Sequence, residues 1–112
     1  MNLQQEPTQP NVVLIVLDTL RADRMSCYGY DRETTPFIDA FAEEATLFER
    51  AVVPGQWTIP SHASLFTGEY PTTHMTTQIH DTLGEDLMTL AELLNDEGFK
   101  TVGFCNNPLL GV

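Results

Sequence analysis

Two residues of this sequence have the type and the setting for hydrolytic chemistry. Asp18 directly follows the apolar run 12–17, and a carboxylate in that setting can hold a divalent cation that activates a hydroxyl group. Thr58 shortly precedes Pro60, which predicts the start of a helix, so its hydroxyl would lie at the positive end of the helix dipole. Together they predict a metal-assisted hydroxyl nucleophile. The alternatives stay open that Asp18 is a turn residue and that Thr58 only caps the helix.

Further polar residues lie where they could serve such a site. His62 could hydrogen-bond a substrate oxygen from within the same helix, or lie on the surface. Arg21 could bind an anionic substrate through a bidentate contact, or form a surface ion pair. His74 lies in a polar segment and could contact substrate, although most such histidines are solvated. Asn106 and Asn107 could line the pocket or cap a turn before a proline.

Buried strands are expected directly before Asp18 and directly before Asn106 and Asn107. Residues 12–17 are aliphatic and do not alternate with polar residues, which is typical of a parallel strand buried on both faces. Residues 101–105 predict a second buried strand, and 47–53 a short one. The carboxyl end of a strand is where open α/β sheets bind their ligands, so the position of Asp18 favours a functional role.

Three helices are predicted between the strands. The first opens at Pro36, with Thr35 as its cap, and runs for about three turns. The second runs from Pro60 to Gly68, and the third covers 86–96. The polar segment 70–84 is expected to be a surface loop. The order of strands and helices predicts an α/β fold with a mostly parallel sheet.

Composition limits the classes of partner. With 112 residues the chain is at most one small domain; we expect residues 1–10 to be disordered and 11–112 to form the domain. Sixteen acidic against five basic residues give a formal charge of −11, the wrong sign for nucleic acid or an anionic membrane surface. Such acidity fits a halophile-like protein or an ordinary acidic one. The apolar run is too short for a signal peptide or a membrane span, which predicts a cytoplasmic protein.

Four sequence blocks, residues 13–23, 27–30, 35–39 and 60–68, follow one another along the chain. They resemble the amino-terminal part of sulfatases, a family of the alkaline phosphatase superfamily. They occur in the family's order, and the helix and strand predicted over 90–105 resemble its next unit. The resemblance implies part of an alkaline-phosphatase-like α/β/α sandwich, ester hydrolysis, and a divalent metal ion, with calcium, magnesium, manganese and zinc all left open.

The nucleophile position departs from the sulfatase pattern. In that family it is usually a cysteine or serine that is oxidised to formylglycine, and Thr58 cannot be converted in that way. Thr58 resembles the direct threonine nucleophile of the superfamily's phosphodiesterases and phosphotransferases. The spacing of Thr58, Pro60 and His62 resembles the nucleotide pyrophosphatase pattern. The resemblance therefore implies catalytic roles for Thr58 and His62.

Other family positions are changed as well. His62 stands where sulfatases have an arginine, and Thr19 where they usually have a second metal-binding aspartate. Asn106 and Asn107 stand where a lysine and a histidine are expected. The resemblance thus implies a metal site at Asp18, Thr19 and Thr58, and it leaves sulfate and phosphate esters as alternative substrates.

Sulfatases are several times longer than this chain and take further metal ligands from their carboxyl-terminal half. We therefore expect a truncated domain whose missing half is its partner, acting on a small anionic ester, with little or no catalysis by these 112 residues alone. The competing hypothesis is a noncatalytic interaction module that folds compactly without that half.

Overall fold

The computed structural model describes residues 9–110, so almost all of the segment 1–10 predicted to be disordered lies outside the described residues. Within that range the chain forms four α-helices and three short 3-10 turns. The helices are α1 (Pro36–Glu44), α2 (Thr58–Thr67), α3 (Pro71–His74) and α4 (Leu90–Asp96), and the 3-10 turns are Ala22–Arg24, Ser26–Tyr28 and Pro108–Leu110.

Helix α1 confirms the prediction made from its proline. Pro36 is its first residue and Thr35 precedes it. The Thr35 hydroxyl does not cap the backbone; it donates to Oδ1 of Asp39 at 2.9 Å. The Asp39 carboxylate also accepts from the Ser26 hydroxyl and from the Cys27 N–H. These hydrogen bonds tie α1 to the preceding 3-10 turn, and the bond from Ser26 is the largest cause of the lowered pKa of Asp39.

Helix α2 contains most of the buried residues in the described chain. It ends as predicted at Gly68, whose left-handed φ of 74° and N–H bond to Ser64 O at 2.8 Å form the C-cap. It begins at Thr58, two residues before the predicted start at Pro60. Its buried side chains are Ile59, Pro60, His62, Ala63 and Ser64.

The segment after α2 differs from the predicted surface loop. Pro71 opens a single turn, α3, whose last residue, His74, is only 4% exposed. Helix α4 begins at Leu90, four residues later than predicted, because Thr89 and Glu92 form a reciprocal capping box that fixes its start.

The three segments predicted as strands, 12–17, 47–53 and 101–105, form no paired strand within residues 9–110. Their apolar side chains face solvent there: Val13 is 79% exposed, Ile15 76% and Phe104 96%. A strand buried on both faces needs neighbouring strands and covering helices to exclude water. The mostly parallel sheet therefore stays a prediction.

No α-helix of the described residues is long and apolar enough to cross a membrane.

Candidate active site

The start of α2 leaves the Thr58 hydroxyl available for chemistry. Trp57 occupies the N-cap position in an extended conformation and makes no side-chain cap. The first N–H groups of a helix have no intrahelical acceptor, so the N–H groups of Thr58 and Ile59 are open at this end. The Thr58 hydroxyl does not cap them. It donates to Oδ2 of Asp18 at 3.0 Å, which joins two residues predicted to act together.

Asp18 is the point at which distant parts of the chain meet. Its Oδ2 also accepts a hydrogen bond from Nδ2 of Asn107 at 2.9 Å. Both hydrogen bonds to the carboxylate within residues 9–110 therefore end on one oxygen. Asn107 was predicted to bind substrate, whereas in the structure its side chain bonds to the Asp18 carboxylate and it does not line the cleft described below.

His62 is fixed to the same turn of α2. Its Nδ1 donates to the Thr58 carbonyl at 2.8 Å, and its ring lies 5.9 Å from the ring of Phe66. The residue is 5% exposed, so the alternative of a surface histidine is wrong. Because Nδ1 carries the hydrogen, a neutral His62 has its lone pair on Nε2.

A cleft of about 960 Å³ runs along these residues. Asp18, Thr58 and His62 line it, and so do Thr19 and Arg21. Its volume suits a small-molecule ligand. Thr19 has a left-handed φ of 63°, which is unusual for a β-branched residue and sharply turns the chain directly after Asp18.

Arg21 lines the cleft but its guanidinium is paired. Nε and Nη2 donate to the Asp23 carboxylate at 2.8 and 2.6 Å. Both side chains are exposed. The hydrogen bonds that Arg21 donates to Asp23 are the largest cause both of the raised pKa of Arg21 and of the lowered pKa of Asp23. This geometry matches the surface ion pair that the sequence left open as an alternative.

Two predicted site residues do not join this group. His74, the last residue of α3, is buried and contacts α2. Its Nε2 shares a hydrogen bond with Ser64 Oγ and its Nδ1 accepts from Thr76 N–H, each at 3.0 Å. Asn106 is exposed and does not line the cleft. Sequence reasoning missed Ser64 and Thr76, because small polar residues carry no periodic signal that distinguishes a buried hydroxyl from a solvated one.

The donors at the cleft fit part of a site for a hard cation. Asp18 offers a carboxylate and Thr58 a hydroxyl, and oxygen atoms are the ligands that calcium and magnesium prefer. No group of three His, Cys, Asp or Glu side chains in the described part of the chain could hold a metal ion. Calcium takes about 6 to 8 oxygen ligands, so most ligands would come from beyond these two residues.

Comparison with known proteins defines the class. The sulfatase family profile matches residues 10–109, and the chain belongs to the sulfatase family. An ulvan-active sulfatase of Formosa agariphila is 37% identical over 98 residues, 88% of this chain and 19% of the relative. An N-acetylgalactosamine-6-O-sulfatase of Bacteroides thetaiotaomicron is 31% identical, over 87% of this chain and 20% of the relative.

Arylsulfatase A of Homo sapiens is 33% identical over 109 residues, 92% of this chain and 21% of the relative. The chain thus spans about a fifth of the length of these relatives. No solved structure matches the chain significantly. The expected family is confirmed.

Proposed function

We propose that this chain supplies the nucleophile side of a metal-dependent hydrolase that cleaves a small anionic sulfate or phosphate ester. Family membership supports ester hydrolysis. The observation that carries the proposal is the 3.0 Å hydrogen bond from Thr58 Oγ1 to Asp18 Oδ2 at the open start of α2. It joins a hydroxyl, a carboxylate and a helix N-terminus, which are the groups that such a displacement needs.

The proposed reaction has two displacements. Thr58 Oγ bonds to the sulfur or phosphorus of the ester, and the bond to the leaving alcohol breaks. The Thr58 proton passes to Asp18 Oδ2, which already accepts that hydrogen, and the leaving alkoxide takes a proton from water. A second water then attacks the sulfur or phosphorus of the threonine ester: one of its protons goes to the departing Thr58 oxygen, and its hydroxyl stays on the released sulfate, phosphate or phosphate monoester. Asp18 gives its proton to the hydroxide left by the first displacement.

The residues around Thr58 orient and neutralise the anionic group. The open N–H groups at the start of α2 can donate to its equatorial oxygens. His62, held through Nδ1, presents Nε2 as the nitrogen that remains free to contact a substrate oxygen. With Nδ1 carrying the hydrogen, Nε2 can accept a hydrogen bond from a substrate hydroxyl or from water.

A divalent cation would be held by Asp18 and Thr58, with Thr19 beside them. Such an ion favours ionisation of a nearby hydroxyl and neutralises charge on the ester. Further side-chain ligands from His, Cys, Asp or Glu would have to come from outside residues 9–110, because no group of three such side chains there could hold a metal ion. We propose that these lie in the portion of a sulfatase-length protein that this chain does not span, which would also cover the exposed apolar segments.

The second candidate substrate is a phosphate ester, and the identity of the nucleophile supports it. Threonine attacks directly through its own hydroxyl, and its β-carbon carries a methyl group that prevents conversion to an aldehyde. A threonine phosphodiesterase or phosphotransferase is therefore the alternative to a sulfatase activity. A noncatalytic interaction module is the alternative to both, and it predicts that substitution of Thr58 has no effect on any ester.

The test is turnover by the whole protein, supplied with divalent metal, on aryl sulfate, aryl phosphate and aryl phosphate diester substrates. We expect Thr58→Ala to lower kcat by roughly 10³-fold or more, whereas Thr67→Ala, at the other end of α2, should stay close to wild type. Mass spectrometry of acid-quenched turnover mixtures should find the ester on the peptide that contains Thr58. Undiminished turnover by Thr58→Ala would overturn the proposal.

A further inference from the structure

Asn107 holds the Asp18 carboxylate from the far end of the chain. Its Nδ2 donates to Asp18 Oδ2 at 2.9 Å across a separation of 89 residues. The residue is half-buried and begins the turn that leads into the 3-10 segment Pro108–Leu110. No other described side chain bonds to Asp18 except Thr58, so these two donors determine how the carboxylate is oriented.

The Asn107 amide can adopt only one of its two orientations. Its Oδ1 accepts the Leu109 N–H at 3.0 Å while its Nδ2 faces Asp18. A flipped amide would place its oxygen against the carboxylate and its NH₂ against an N–H group. The backbone N–H of Asn107 donates to Cys105 Sγ at 3.3 Å, and its carbonyl accepts from Leu110 N–H at 3.0 Å. The donor to Asp18 is therefore fixed by its own turn.

We propose that Asn107 is a positioning residue that holds the Asp18 carboxylate against Thr58 and leaves Oδ1 of Asp18 free for a divalent cation. The inference rests on the proposed function, because it assigns roles within the same site. Both donors occupy Oδ2, so Oδ1 is the oxygen that no described residue engages. Partners that orient a metal-binding carboxylate commonly change metal affinity or activity by about 10–100-fold when they are removed.

Two substitutions separate this role from a structural role in the turn. Asn107→Leu keeps the number of side-chain heavy atoms and the branch at Cγ, and it loses both amide hydrogen bonds. Asn107→Asp keeps an oxygen for the Leu109 N–H and loses only the donor to Asp18, where it places a second negative charge. Asn106→Leu is the matched control, because Asn106 is the exposed neighbour in the same segment.

The first measurement is calorimetric titration of the whole protein with Ca²⁺ and with Mn²⁺. We expect Asn107→Leu to weaken binding of the ion by about 10–100-fold, with Asn106→Leu within twofold of wild type. Equal weakening in both leucine variants would show a general effect of the turn and would overturn the inference. Failure of the wild-type protein to bind either ion would overturn it as well.

The second measurement is the division of the effect between kcat and KM at saturating metal. Asn107→Leu should lower kcat at least about tenfold, with KM within twofold, because Asp18 no longer aligns Thr58 while substrate contacts remain. Asn107→Asp should lower kcat as well, and the charge that it adds should raise KM for an anionic ester. Wild-type kcat in both Asn107 variants would refute the positioning role. Turnover retained in Thr58→Ala, together with weakened metal binding in Asn107→Leu, would refute the proposed nucleophile and leave Asn107 as a positioning residue.

Discussion

Replacement of His74 should destabilise the protein far more than replacement of the neighbouring His80. His74 is 4% exposed and both ring nitrogens are bonded, Nδ1 as acceptor from Thr76 N–H and Nε2 to Ser64 Oγ. Since Nδ1 accepts, a neutral ring carries its hydrogen on Nε2 and donates to Ser64. His80 is exposed in the same segment. Comparing His74 with His80 therefore isolates the effect of burial and hydrogen bonding, because both residues are histidines.

The magnitude follows from what His74→Ala leaves behind. Thr76, 5% exposed, keeps a buried N–H without an acceptor, and one such group costs about 1–3 kcal/mol. The Ser64 hydroxyl can rotate to the carbonyl one turn earlier in α2, so its loss is smaller. With the space vacated by the ring, the total is roughly 2–4 kcal/mol. For an m-value near 2 kcal/mol/M, the urea midpoint should fall by about 1–2 M.

Two conservative variants divide that loss between the two hydrogen bonds. In His74→Asn the amide oxygen lies near the position of Nδ1 and can still accept from Thr76, whereas in His74→Gln the amide nitrogen reaches Ser64. Each should recover part of the midpoint, and Asn should recover more, because the buried N–H is the costlier group to leave unpaired. Equal midpoints for His74→Ala and His80→Ala would refute the reasoning.

Two further predictions concern α1 and α4. Hydrogen bonds lower the pKa of Asp39, so the stability it contributes is present above the usual pKa near 4 and is lost as the pH falls through the lower folded-state pKa. Asp39→Asn should thus destabilise at pH 7 and reduce the loss of stability below about pH 4, as denaturant midpoints at both pH values would show. An unchanged acid slope would contradict this assignment. Thr89→Ala removes the α4 capping box and should cost about 1 kcal/mol, seen as faster hydrogen exchange in α4, whereas the exposed Thr101→Ala should change nothing.

The sequence predicted those features that depend on neighbouring residues. Pro36 at the start of α1 and Gly68 after α2 act through their own backbone geometry, so local pattern is enough to find them. The true start of α4 was also visible in principle, because Thr89 and Glu92 have the spacing of a capping box. The apolar pattern extended the predicted helix to residue 86, since periodicity indicates a face and not an end.

Features that depend on distant partners were not predictable from one sequence. Burial of His74 requires Ser64 on another helix, and nothing in the polar composition of its segment indicates that contact. The bond between Asn107 and Asp18 is of the same kind, since two predicted strand ends placed both residues near a site without saying which would contact which. The predicted parallel sheet also depends on distant segments, because parallel strands pair only across a long crossover connection, and it stays a prediction.

The charge of Asp18 is a reason to expect a cation beside Thr58, because the carboxylate repels an anionic ester. An anionic ester beside Thr58 lies close to the Asp18 carboxylate, in a chain of formal charge −11. Two like charges about 4 Å apart repel by about 4 kcal/mol at an effective dielectric constant near 20. The only ion pair within residues 9–110 joins Arg21 to Asp23, so no described cation neutralises Asp18, and the partial charge of a helix terminus offsets only part of this repulsion. In the proposed reaction, an ion bound to Oδ1 of Asp18 would reverse the sign of the local field, so binding of an anionic ester would depend on that oxygen.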